Sequence, residues 1–150
     1  MIITKEIEID MGHRVPNHKS KCKNLHGHRY KIEATVDDKV IDTKGASDEG
    51  MVIDFSDLKQ IMLDVLDTGF DHNSVFYEND PALRSLAGLQ KFQDKRIHFV
   101  PFIPTAENLA KHWFELLEPK LKKRKIKLFQ LKVWETPTST ASYRLLDQGI

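Results

Sequence analysis

The stretch HGHRYKIEATVD, residues 26–37, alternates along most of its length. Tyr30, Ile32, Ala34 and Val36 fall on one side, and Lys31, Glu33, Thr35 and Asp37 on the other. A period of two is that of a β-strand with one buried face, so a strand is expected over residues 28–37. His26 and His28 stand at its mouth, and the same period places both rings on the side of Tyr30 and Ile32. Gly27 between them has no side chain to keep backbone or ligand away. Residues 2–10 alternate similarly, Ile7 and Ile9 against Glu6 and Glu8, and predict a partner strand. His13 lies just past its end.

Downstream the period changes. In DFSDLKQIMLDVLDTGF (residues 54–70) Leu58, Ile61, Met62, Val65 and Leu66 form a helical stripe, with Ser56 as the expected N-cap and an end near Gly69. A second helix is read from PTAENLAKHWFELLEP (104–119). Thr105 caps it, and Ala106, Leu109, Ala110, Trp113, Leu116 and Leu117 face inward. The basic run at 120–127 then reads as a solvated helix end favoured by the dipole. Residues 73–103 have no strong period, the pattern of a functional or inserted loop in which 81–92 could form a short helix. The chain closes as a hairpin, with strands over 127–135 and 141–146 and a turn at 137–140. Phe129, Leu131, Val133 and Glu135 share one face of the first of these strands.

The order β, β, α, α, β, β predicts an α+β fold: a four-stranded antiparallel sheet with two helices on one face, in a single domain spanning 1–150. Such a sheet has two open edges, which ring-like self-association would remove.

With 40% apolar and 30% charged residues in 150, and a formal net charge of +1, the composition gives no general pull toward nucleic acid or anionic membrane. No apolar run approaches the roughly 20 residues of a membrane span. One cysteine forms no internal disulfide, and the first ten residues lack the layout of a signal peptide. A cytoplasmic protein is expected.

His13, His26 and His28 together could hold a metal with an open fourth position, the catalytic form of a zinc site. His-x-His pairs are also common as ordinary histidines, and spacing leaves both readings open. Cys22 lies among Lys19, Lys21 and Lys23, whose charge favours a thiolate. It is either a small buried hydrophobe or a nucleophile or base. Asp71 and His72 could relay a proton, though such dipeptides are frequent. Glu135, at the end of an apolar face, needs either an internal cation or a ligand with adjacent N–H donors.

Cys-x3-His-Gly-His with an upstream histidine, FDHN (70–73), PTAEN (104–108) and WETPTSTASY (134–143) closely resemble the 6-pyruvoyltetrahydropterin synthase superfamily, in the right order over nearly the whole chain. The cysteine spacing and the ETPTST segment look most like its bacterial carboxytetrahydropterin-forming branch, of queuosine and other 7-deazaguanine biosynthesis. The resemblance implies the tunnelling fold, in trimers that close a β-barrel and stack into hexamers, with active sites between subunits. It implies Zn2+ on His13, His26 and His28, Cys22 as the base, and Asp71 with His72 as the relay for the other proton. Glu135 would anchor a pterin ring, supported by Thr105, Glu107 and Thr136. The implied substrate is 7,8-dihydroneopterin triphosphate, whose phosphates the lysines of 19–23 would suit. The connections at 42–50 and 73–103 are longer than in compact relatives, and Phe70 stands where leucine is frequent.

Overall fold

The computed structural model describes residues 1–67, 69–83 and 96–149. Its elements are β1 (Ile2–His13), a 3-10 turn (Lys21–Lys23), β2 (His26–Asp37), α1 (Phe55–Leu66), β3 (Ser74–Tyr77), β4 (Ile97–Val100), α2 (Ala106–Lys123), β5 (Leu128–Thr136) and β6 (Ser139–Arg144). One mixed sheet holds all six strands in the order β4-β3-β1-β2-β5-β6.

The antiparallel β1–β2 ladder runs from Ile2↔Asp37 to His13↔His26 without a slip. A one-residue shift would turn every apolar side chain to the wrong face, so the alternation of both strands enforces this register. Ile7, Ile9, Met11, Tyr30, Ile32, Ala34, Val36, Leu131 and Val133 form the buried side of the sheet. Leu58, Met62 and Leu66 of α1 and Leu109, Trp113, Phe114, Leu117 and Leu121 of α2 cover it, which makes the fold α+β with both helices on one face. Burying each of the larger of these side chains is worth about 1.5–3 kcal/mol.

The expected four strands are joined by two more from the 73–103 stretch. β3 runs parallel to the end of β1, pairing Gly12↔Ser74 and His13↔Val75, and β4 runs parallel to β3. Each is four residues long, and Val75 and Phe76 are both fully buried, so no alternation marks β3 in the sequence. The short helix considered for 81–92 lies largely outside the described residues.

Other boundaries shift for local reasons. Asp54, not Ser56, caps α1: its carboxylate accepts the Ser56 amide at 2.6 Å, and an anion is favoured at a helix N-terminus. Thr105 caps α2 as expected, accepting from the Asn108 amide at 3.3 Å. α2 continues through Pro119, and the full burial of Leu121 offsets the hydrogen bond the proline lacks. Phe114 takes the core place expected of Leu116, which is exposed. A bulge opposite Thr35 and Val36 pairs Leu128 with Val36, so Leu128 rather than Phe129 closes the core at that end.

Candidate metal centre and the cavities around it

The register of β1 and β2 sets His13 directly opposite His26 and Met11 opposite His28. Period two therefore puts all three imidazoles on the core face, at the end of the ladder next to the start of α2. Ring centroids lie 4.6 Å (His13–His26), 5.2 Å (His13–His28) and 4.9 Å (His26–His28) apart, with interplanar angles of 54–85°. The rings converge without stacking, and one nitrogen from each lies within 4.8 Å of the others. The close approach needs Gly27, since a Cβ there would come within 3.1 Å of the Met11 carbonyl oxygen.

Hydrogen bonds select the tautomers. His13 Nδ1–H donates to the Pro104 carbonyl and His26 Nδ1–H to the Asn24 carbonyl, each at 2.7 Å. That leaves both Nε2 lone pairs facing the centre, the arrangement in which an outer carbonyl orients a metal-binding imidazole. His28 Nε2 is buried with no hydrogen-bond partner among the described residues. A buried polar atom without a partner requires explanation, and a cation shared by the three Nε2 atoms supplies one. Burial holds both His13 and His28 below the ordinary histidine range, partly opposed at His13 by the Pro104 hydrogen bond and at both by Glu135. The neutral imidazole thus favoured is the metal-binding form. These residues fit a divalent ion with nitrogen ligands.

Glu135 stands beside the cluster, with Oε2 3.9 Å from His13 Nε2 and Oε1 4.0 Å from His28 Nε2. No lysine or arginine pairs with it among the described residues. Tyr30, fully buried, lies with its hydroxyl 3.3 Å from His13 Nε2 and 3.5 Å from Glu135 Oε2. Burial first, and Glu135 second, push its phenol well above the usual range, so it stays protonated and able to donate.

Cys22 is a free, half-buried thiol on the 3-10 turn, and its carbonyl accepts from the Val15 amide at 2.8 Å. It shares a cavity of about 220 Å³ with His13, Thr105, Glu107 and Glu135. Thr136 lines a neighbouring cavity of about 450 Å³ with Glu135, His28, Arg29 and Trp134. Lys19, Lys21 and Lys23 are exposed and line neither.

Asp71 and His72 are placed differently. They pair with each other, Oδ1 to Nδ1 at 3.0 Å, and grip β1 from its edge: Asp71 accepts the Asp10 amide at 2.9 Å and the His72 amide donates to the Asp10 carbonyl at 2.7 Å. His72 has a φ of 57° and an exposed ring, and within one chain neither residue lines the Cys22 cavity.

One contact next to the centre had no signal in the sequence. Arg14 Nε meets Asp80 Oδ2 at 2.8 Å, and the Asp80 side chain is completely buried. The pair ties the segment after β3 to the neighbour of His13, and such buried charges are costly to leave alone. The carbonyls of Asn24 and Pro104 were equally invisible, because any residue supplies one.

The family model described as 6-pyruvoyl tetrahydropterin synthase matches residues 2–145. A 6-carboxy-5,6,7,8-tetrahydropterin synthase of Haemophilus influenzae is 34% identical over 142 residues, covering 95% of this chain and 97% of that one. Among solved structures, an uncharacterized protein of Wolinella succinogenes superposes with a TM-score of 0.81 at 22% identity, covering 97% and 98% of the two chains. The 6-pyruvoyl tetrahydropterin synthase of Caenorhabditis elegans superposes with a TM-score of 0.67 at 24% identity, covering 96% and 94%. The structural likenesses bear on the fold alone. With a sheet, two helices and three imidazoles arranged as described, the match over nearly its whole length shows that this chain belongs to the 6-pyruvoyl tetrahydropterin synthase family.

Proposed function

We propose that this chain is a zinc-dependent lyase that converts 7,8-dihydroneopterin triphosphate to 6-carboxy-5,6,7,8-tetrahydropterin, releasing acetaldehyde and triphosphate, in queuosine or other 7-deazaguanine biosynthesis in the cytoplasm. The observation that carries this reading is the gathering of His13, Cys22 and Glu135 around one cavity, with His26 and His28 converging on His13. The identity to a relative named for this activity, 34% over nearly both chains, supports the choice of reaction.

His13, His26 and His28 would hold the zinc through Nε2. Zinc bound there supplies Lewis acidity to side-chain hydroxyls of the substrate. Glu135 accepts hydrogen bonds from the N–H edge of the pterin ring, with Tyr30 donating to the carboxylate from behind, and Thr105, Glu107 and Thr136 support the ring. Cys22 takes a proton from the substrate side chain as its base. Asp71 orients His72, which handles the second proton. Because that pair stands outside the Cys22 cavity of its own chain, we assign it to the site of a second copy in a homotrimer or homohexamer. One domain spanning 1–150 carries the whole set.

The test is incubation of zinc-loaded protein with dihydroneopterin triphosphate and identification of the products. Acetaldehyde with a 6-carboxy pterin is the expected result. A diketo pterin would assign the chain to pyruvoyltetrahydropterin formation instead.

A further inference from the structure

Gly12 and Gly27 face each other across β1 and β2 on the side of the sheet opposite the histidines, next to the Asp10–Arg29 pair. Two facing residues without side chains leave a floor of bare backbone. A Cβ at Gly12 would come within 3.2 Å of Ser74 Oγ. Over this floor lies a cavity of about 710 Å³ with Arg29, Arg96, His72 and Ser74 in its walls. Arg29 is held in place by Asp10, donating from Nε at 2.9 Å and from Nη2 at 3.2 Å. The Arg96 main chain is fixed by the Ser74 amide, which donates to its carbonyl at 2.8 Å. No carboxylate pairs with Arg96 among the described residues, so the cavity carries a net positive charge once Asp10 has balanced Arg29.

The three cavities share walls. Glu135 belongs to the Cys22 cavity and to its 450 Å³ neighbour, and His28 and Arg29 belong to that neighbour and to the cavity over the glycines. The path therefore runs from a carboxylate, past a metal-binding imidazole, to two guanidiniums. It suits a molecule with a ring bearing N–H donors at one end, hydroxyls in the middle and an oxyanion at the other end. We propose that the cavity over Gly12 and Gly27 is a polyphosphate subsite, in which Arg96, assisted by Arg29 and Ser74, holds the triphosphate of the substrate. This rests on the reading above, and it moves the phosphates away from the lysines of 19–23. Guanidinium forks suit phosphate oxygens, and the carboxylate already on Arg29 leaves Arg96 as the principal contact.

Calorimetry with inorganic tripolyphosphate on the zinc-loaded protein tests it, beside kinetics with the triphosphate substrate and inhibition by its dephosphorylated form. Arg96→Ala is expected to weaken tripolyphosphate at least about tenfold, as losing charge-assisted hydrogen bonds does. It should raise KM for the triphosphate substrate by a similar factor and leave the inhibition constant of the dephosphorylated form, which has no leaving group and acts as a competing ligand, unchanged. Replacing Lys19, Lys21 and Lys23 together by alanine should leave the tripolyphosphate affinity unchanged. Tripolyphosphate binding that survives Arg96→Ala overturns the proposal, since the anion is then held by the metal or the lysines. Binding that does not compete with substrate overturns it too, since the site then takes a free anion. If the wild type fails to turn over while tripolyphosphate binding still depends on Arg96, the lyase reading falls and the oxyanion site stands.

Discussion

Two chemically similar sets of groups lie at the same end of the β1–β2 ladder and are built in contrasting ways. On the core face, three imidazoles are positioned by strand register, fixed in tautomer by the carbonyls of Asn24 and Pro104, and shielded by Tyr30. At the edge, Asp71 and His72 hold a good mutual geometry, yet the ring of His72 is exposed and neither residue lines the Cys22 cavity. The difference teaches that one chain gathers the three imidazoles by itself but sets Asp71 and His72 apart from the Cys22 cavity. The grip should therefore survive in any form that keeps the ladder, whereas turnover should depend on what adjoins each chain.

The strongest way to break that contrast is His28→Ala. Removing an outer hydrogen-bond partner of a metal ligand costs about 10–100-fold in metal affinity, so loss of a ligand itself should exceed about 100-fold. Zinc competition against a chromogenic chelator would measure it. Zinc retained at unchanged affinity would mean that the three imidazoles are not the grip.

Cys22→Ala should act in the opposite sense on the two properties. Positioned general acid–base groups contribute about 10²–10⁴-fold, so kcat should fall within that range while the zinc content of the purified protein stays at the wild-type value. Unchanged turnover would remove Cys22 from its assigned role. Mixing refines the comparison further. Co-refolding inactive Cys22→Ala with inactive His72→Ala chains should restore up to about a quarter of wild-type activity if each site draws on two copies in a closed symmetric assembly. Should the mixture stay as inactive as its parents, the division between chains is wrong.

The same contrast governs what was legible in the sequence. The strands of the ladder were readable because one face is buried and period two shows it, and the co-facing of His26 and His28 followed from that period alone. Glu135 could be singled out because a carboxylate at the end of Leu131 and Val133 is chemically out of place. Backbone partners left no such trace: nothing in the letters marks the Pro104 carbonyl as the orienting group of His13. β3 and β4 were missed because four residues are too few for a period and Val75 and Phe76 are buried together. The bulge that substitutes Leu128 for Phe129, and the cap at Asp54 in place of Ser56, depend on a single residue of register. The position of Asp71 and His72 depends on where β3 docks, a long-range fact that no local pattern around them records.

The last test compares the metal centre with the histidines on the helix side. His98 and His112 pack against Phe70, with ring centroids 4.8 and 5.9 Å from it, just before the Asp71–His72 pair. Burial is the main cause that holds both below the ordinary histidine value of 6.5, and His112 is partly opposed by Glu115. A lowered pKa means that the folded protein binds fewer protons than the unfolded chain below about pH 6.5, so stability falls as the pH drops through that value and is insensitive to these groups above it. In zinc-free protein the acid-side slope just below pH 6.5 should collect His98 and His112, at most about one proton from each, together with His13 and His28. Denaturant titrations from pH 5.5 to 7.5 would show a shallower slope in His112→Gln and a steeper one in zinc-loaded protein, where unfolding releases the ion and frees imidazoles that then take up protons. A His112→Gln slope equal to the wild type would remove His112 from the acid sensitivity and leave it to His98 and the metal centre.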